Sequence, residues 1–307
     1  MELVIWPMRR PDLFTGLRKA ANGLLLFGPP GTGKTLIGKA IASECSATFF
    51  SISASSLTSK WIGKGEKLVR ILFAVARSME PAVVFLDEVD SLLTARKDDE
   101  NEASRRIKTE FLVQLDGAGG SEGTRVLAIG ATNRPHELDD AARRRFVKRW
   151  DRSSPIIYIR TALSRPSSPP PNNVSPPLPP PRLYIPLPSA PVRERLVRTL
   201  LKTNRNSLTE AEVAKISVLT DGFSGADLKN LCTDAALGPI RQLGPGALNI
   251  DAAEVPPISF RHFRMALRGT KPSVSQDDLE AYVKFDATYG FSVATDDGQL
   301  DSEDDDE

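Results

Sequence analysis

Apolar residues along this chain follow two rhythms. Short unbroken runs such as Leu24-Leu25-Leu26-Phe27, Val83-Val84-Phe85-Leu86 and Val126-Leu127-Ala128-Ile129 read as strands buried on both faces. They predict strands near 24–27, 48–53, 82–87, 126–132 and 183–186. Between them the spacing is helical, as in Leu36, Ile37, Ala40 and Ile41, with further helices near 64–78 and 102–116. Beyond the fifth run only helical spacing remains, near 191–204, 209–219, 224–237 and 259–268. Ser224 is placed as an N-cap, and Ser273-Val-Ser-Gln-Asp-Asp opens a last helix with a capping-type start. Strands alternating with helices, followed by helices alone, describe an α/β doubly wound parallel five-stranded sheet with a small C-terminal helical lid.

The first strand runs straight into Gly28-Pro29-Pro30-Gly31-Thr32-Gly33-Lys34-Thr35, which fits G-x-x-x-x-G-K-[ST], with Leu36 opening the next helix. Glycines there let backbone N–H groups turn onto phosphate oxygens, and the helix N-terminus adds partial positive charge. This predicts a P-loop NTPase in which Lys34 reaches the β/γ-phosphates of ATP and Thr35 ligates Mg²⁺. The strand Val83–Leu86 ends in Asp87-Glu88, at the carboxyl edge where open α/β sheets bind ligands. Asp87 is the expected Mg²⁺ partner and Glu88 the general base that orients water. Two solvated acids at a strand end are the plainer alternative, which the preceding P-loop disfavours.

Composition narrows the class further. The chain has 307 residues, 40% hydrophobic and 26% charged, enough for one large and one small globular domain. Cys45 and Cys232 are its two cysteines and form no CxxC, so no disulfide framework or zinc site is expected. No apolar run approaches membrane-spanning length, and Met1–Pro7 is too short for a secretory signal, which predicts a nuclear and/or cytoplasmic protein without membrane insertion. The net charge of +1 hides a basic cluster at Arg143-Arg144-Arg145, Lys148 and Arg149 and an acidic end over 301–307. That end reads as a solvated, disordered tail.

Three further stretches carry candidate chemistry. The strand 126–132 ends at Asn133, either an amide that touches the attacking water and γ-phosphate or a turn residue before Arg134-Pro135. Three adjacent arginines are commonly a solvated helix face; after the catalytic strands, Arg143, Arg144 and Arg145 also fit arginine fingers. Lys60-Trp61-Ile62-Gly63-Lys64-Gly65 places an aromatic beside flexible glycines, so Trp61 is either core or displayed on a mobile loop.

Together with Ala47–Trp61, Ser104–Gly117, Gly130–Pro135 and Asp234–Arg241, these motifs resemble the ATPase module of the meiotic clade of AAA proteins, fidgetin, spastin and katanin among them. The likeness covers nearly the whole chain apart from 150–182 and the acidic tail. It implies an ATP-dependent homohexameric ring with ATP between subunits. Arg144 and Arg145 are then fingers given in trans, with Arg143 a third. Asn133 is the sensor. Lys60, Trp61 and Ile62 form a pore loop, and Arg105 and Arg106 lie at a second. A protein substrate would be threaded through the pore, of the kind presented by tubulin tails in microtubule severing or by recombinase filaments. The basic residues are better explained by these roles than by a groove tracking nucleic acid. A chain that binds ATP without turnover is the alternative, because relatives carry an earlier strand and helix and an uninterrupted finger motif.

The implied organisation is a large subdomain over 1–149, a Pro-rich insertion over 150–182, the last core strand in 183–190, a lid over 191–272, a C-terminal helix over 273–290 and a tail over 291–307. The insertion holds ten of the 24 prolines. It reads as a polyproline ligand, a disordered surface loop or, best, a translated intron. Arg149-Trp150-Asp151 admits a GT donor after AG, Arg182 admits an AG acceptor, and Pro-, Ser- and Leu-rich text is what a pyrimidine tract encodes. Removing the segment keeps the frame and restores Lys148-Arg149-Leu183-Tyr184-Ile185-Pro186. Transcripts joining codon 149 to codon 183 are therefore expected, and a transcript pool that always contains 150–182 would refute the intron reading.

Lys64 stands where relatives usually carry an acid. A reversed charge beside each Trp61 should weaken attraction for basic segments and favour acidic ones. Lys64→Glu is expected to lower affinity for an acidic peptide, measured by fluorescence anisotropy; unchanged affinity would dismiss the idea.

Overall fold

The computed structural model describes residues 5–14, 23–59, 65–94, 102–117, 125–146, 182–248, 251 and 254–289. Its centre is a five-stranded parallel sheet in the order β2-β3-β4-β1-β5, comprising β1 (Gly23–Phe27), β2 (Thr48–Ser53), β3 (Ala82–Asp87), β4 (Val126–Thr132) and β5 (Arg182–Tyr184). Helices of the same part are α1 (Ile5–Arg9), α2 (Lys34–Glu44), α3 (Ala54–Ser59), α4 (Gly65–Ser78), α5 (Asp90–Leu93), α6 (Glu102–Gly117) and α7 (Asp140–Arg145).

The apolar runs work as two alternating sets. Leu25, Val84, Leu86 and Ala128 face one core, shared with Val69 and Phe73 of α4 and Ile107 and Phe111 of α6. Their neighbours Leu24, Leu26, Val83, Phe85, Leu127 and Ile129 face a second core, shared with Ala42 of α2 and Met8 of α1. A strand sandwiched this way has no solvent face, so its sequence shows no polar alternation. Phe146, directly after α7, is fully buried on the sheet. It lies over Gly23 and Gly130, where a Cβ would come within 3.2 Å and 2.9 Å of its ring. A core phenylalanine contributes about 3–5 kcal/mol, and this one fixes α7 and its arginines to the sheet.

The lid packs α8 (Ala190–Leu201), α9 (Glu210–Leu219), α10 (Gly225–Leu243) and α11 (Phe260–Gly269) around Val197, Ile216, Leu228, Leu231 and Phe263. A buried Arg193 ties its base together, donating to Ser217 O, Pro188 O and Asp221 at 3.0, 2.8 and 3.0 Å. The chain then returns to the large part as α12 (Gln276–Tyr289), whose Tyr282 and Phe285 pack on Phe27 and Tyr184.

The predicted sheet and lid are as found, with four corrections, the first being that the helix expected over 191–204 spans Ala190–Leu201. The fifth strand lies at Arg182–Tyr184 rather than 183–186, because its partner β1 turns into the P-loop at Gly28, just past the Phe27 carbonyl to which Ile185 N–H donates. The helix expected over 224–237 runs on to Leu243 through Pro239, which is buried in it. Beside Pro239, Gly238 leaves room for the His262 ring, from which a Cβ there would be 2.8 Å away. The last helix starts at Gln276 behind a Ser275–Asp278 cap, not at Ser273, whose hydroxyl instead donates to Asp227 at 2.9 Å. The proposed insertion falls outside the described residues except for Arg182, which opens β5.

Candidate functional site

The loop between β1 and α2 is built from backbone that only glycine adopts easily. Gly28, Gly31 and Gly33 have φ of 144°, 74° and 91°. At Gly28 a Cβ would lie 2.3 Å from Ile185 O, and at Gly31 one would lie 2.7 Å from Ala226 Cβ. The second contact brings the lid onto the loop. Ala226 N–H donates to Gly31 O at 3.1 Å, so the N-terminus of the long helix α10 closes over the P-loop. Asp227 supports that end, accepting from Ser224 N–H and Oγ at 2.9 Å each and from Ser273. These bonds hold its carboxyl below the usual range, although burial opposes them.

Lys34 is buried and folded back into the loop, donating to Gly28 O at 2.8 Å and Pro29 O at 2.7 Å. Thr32 Oγ1 donates to Pro29 O at 2.9 Å, which fixes the same carbonyl. Burial pushes the Lys34 ammonium down to about 8, against the pull of Asp87 and Asp90. Its charge is thus one that an arriving phosphate would stabilise.

Across the edge, Thr35 Oγ1 donates to Asp87 Oδ2 at 3.1 Å, joining the two predicted metal partners across 52 residues. Their hard oxygens suit Mg²⁺. Asp87 Oδ1 accepts from Glu88 N–H at 3.0 Å. Glu88 is exposed and has φ of 51°, a left-handed conformation that costs a non-glycine residue roughly 1–3 kcal/mol. The following residue, Val89, donates to Ala131 O at 2.9 Å, tying the exit of β3 to the end of β4. At that end Thr132 Oγ1 donates to Asp90 Oδ1 at 2.6 Å and accepts from Arg134 N–H at 2.9 Å. Asn133 lies between them with its Oδ1 buried and without a hydrogen-bond partner. An orphaned buried acceptor is costly. Here it points to a group that arrives with the ligand.

Arg143 and Arg145 are held within their own subunit. Arg145 Nε donates to Asp116 Oδ2 at 2.7 Å and its Nη1 to Ala141 O at 3.3 Å. Arg143 pairs with Asp140 and lies 5.4 Å from the Tyr289 ring centre. Arg144 belongs to the same helix α7. Arg105 and Arg106 stand exposed on the first turns of α6, with Arg106 paired to Glu102 at 2.5 Å. Together with Glu66, Thr109 and Glu110 they line an open cleft of about 500 Å³. Lys60, Trp61 and Ile62 lie outside the described residues, as does Lys64. Helix α4 begins directly after them at Gly65, seated on Ile107 of α6 so closely that a Cβ would meet its Cδ1 at 2.4 Å. The two predicted pore segments thus attach to adjacent helix ends.

Sequence reasoning missed Asp90, Thr132, Asp227 and Tyr282. Asp90 and Thr132 flank named motif residues and were within reach. Tyr282 was not, because its hydroxyl donates at 2.5 Å to the backbone carbonyl of Asn133, 149 residues away.

Comparison with known proteins agrees with this geometry. Residues 24–153 match the ATPase family associated with various cellular activities (AAA), 210–252 the AAA+ lid domain, and 247–290 the Vps4 C terminal oligomerisation domain. The chain is 53% identical over 290 residues to fidgetin-like protein 1 of Xenopus laevis, covering 94% of this chain and 39% of that one. It is 47% identical to spastin of Danio rerio, covering 94% of this chain and 45% of that one. Among solved structures, the FIGL-1 AAA domain in complex with ADP superposes with a TM-score of 0.78 at 48% identity, over 94% of this chain and 85% of that one. The chain belongs to the AAA ATPase family, within its fidgetin-like and spastin group. It spans about two fifths of the full-length relatives it matches.

Nucleotide affinity should depend on the Lys34 charge. The free ammonium titrates near 8, and bound phosphate favours its charged form. Affinity is full below that pH and lost as pH rises through it. ADP binding is expected to weaken about eightfold from pH 7.5 to pH 9. Isothermal titration calorimetry at several pH values checks this, and a flat profile would contradict it.

Proposed function

We propose that this chain is a Mg²⁺-dependent ATPase that works as a homohexameric ring and remodels protein substrates through a central pore. The observation that carries the reading is the meeting of Lys34, Thr35, Asp87, Glu88 and Asn133 at the carboxyl edges of β1, β3 and β4, beneath the lid helix. Lys34 would exchange its two loop carbonyls for phosphate oxygens. Glu88 would take the proton of the attacking water, and Asn133 would supply an amide to water or γ-phosphate. Thr35 and Asp87 would hold Mg²⁺, which supplies charge neutralisation between the phosphates. To serve a neighbour's nucleotide, Arg145 must exchange Asp116 for phosphate, a swap of one exposed anion for another.

The C-terminal match to an oligomerisation domain supports assembly, and the likeness to spastin and fidgetin-like protein favours work on protein filaments. The substrates proposed are tubulin tails, as in microtubule severing, or recombinase filaments, in the nucleus, the cytoplasm or both. Among the described residues no helix is long and apolar enough to cross a membrane. The competing reading, an ATP-binding chain without turnover, draws support from the pairing of Arg143 and Arg145 inside their own subunit.

ATP turnover measured against protein concentration separates the two. A cooperative rise, abolished by Glu88→Gln, is expected for fingers acting in trans. Turnover no greater than that of Glu88→Gln would favour the second reading, and restoration on deleting 150–182 would assign the loss to the insertion.

A further inference from the structure

Helix α12 touches three parts of the site at once. Phe285 meets Phe27, the residue before the P-loop, edge to face with centroids 5.1 Å apart. Tyr289 lies beside the Arg143 guanidinium. Tyr282 stacks on Tyr184 at 6.3 Å, and Tyr184 in turn packs against Phe27 at 5.5 Å. From this cluster the Tyr282 hydroxyl reaches Asn133 O at 2.5 Å.

The residues on either side of Asn133 are already fixed, Thr132 through Asp90 and Arg134 through the Thr132 hydroxyl. The Asn133 carbonyl shares one planar peptide with the Arg134 N–H, so the Thr132 and Tyr282 hydroxyls hold that peptide from its two sides. Losing the Tyr282 bond would release the Asn133 backbone on that side, and with it the setting of the side chain whose buried Oδ1 lacks a partner. We propose that Tyr282 is a positioning residue that aims Asn133 at the γ-phosphate, so that docking of the C-terminal helix sets the discrimination between ATP and ADP. This rests on the nucleotide reading of Asn133 given above.

Burial first, then nearby Asp278, pushes the Tyr282 phenol up to about 12, so it stays a donor throughout the working range. The helix that carries Tyr282 also lies in the segment matching an oligomerisation domain. A change in its seating on assembly would therefore reach the sensor directly, with no intermediate element. Reciprocally, filling the γ-phosphate position would favour the seated helix, because linkage between two sites works both ways.

The test compares ATP and ADP affinity in a Glu88→Gln background, where hydrolysis does not blur the measurement, with and without Tyr282→Phe. The substitution removes one oxygen and keeps the ring in its stack. The expected result is unchanged ADP affinity and an ATP-over-ADP preference reduced about tenfold. Asn133→Ala should lose the same preference, and adding Tyr282→Phe to it should cost nothing more. Equal weakening of both nucleotides, or an unchanged preference, would overturn the proposal and leave Tyr282 as packing alone; so would full additivity with Asn133→Ala. Wild-type turnover, measured separately, distinguishes failure of this proposal from failure of the ATPase reading. A chain that never turns over ATP but shows the expected loss refutes only the latter.

Discussion

Everything at the nucleotide edge depends on the register of β4 between β1 and β3. Phe27 pairs with Thr132 and Leu86 with Gly130, so the three strands end nearly level. The residues that follow, Gly28, Asn133 and the Asp87-Glu88 pair, therefore emerge side by side. A slip by one residue would send each of these groups to the opposite face. The register is held by the absence of side chains as much as by their presence. In this register Gly23 and Gly130 leave a trough that the ring of Phe146 fills. Packing on one face of the sheet thereby sets the chemistry at its end.

That edge is arranged for an occupant. Lys34 donates to two carbonyls of its own loop, Thr35 to Asp87, and Asn133 Oδ1 has no donor. Each is a substitute bond, or a missing one, that phosphate, metal or water would replace. Glu88 is held in left-handed backbone next to them, strain that persists because its neighbours are tied to β4 on one side and to Asp87 on the other. The stability spent there is supplied by the two cores that sandwich the strands.

Much of this was legible in the residues themselves. A parallel strand buried on both faces must be an apolar run, and β3 and β4 announce themselves that way. The P-loop is legible because its geometry demands glycine at positions that no other residue fills comfortably. What escaped depends on pairing over distance. No periodicity links Tyr282 to Asn133, or Ser273 to Asp227. The continuation of α10 past 237 brings Gly238 against the ring of His262, which comes from another helix. The short fifth strand was misplaced because pattern marks apolar residues, while the ladder ends where its partner β1 turns away at Gly28.

One feature of the sheet edge bears on how the gene is read. Among the described residues β5 is an outermost strand, joined to the sheet through β1 alone, and its first residue, Arg182, pairs opposite Leu25. Joining codon 149 to codon 183 would put Arg149 in that place, one arginine for another. Long and short messages would then spell the same Arg-Leu-Tyr strand. The residues that pair with β1 would be the same in both forms, and any difference between the forms would lie outside that strand.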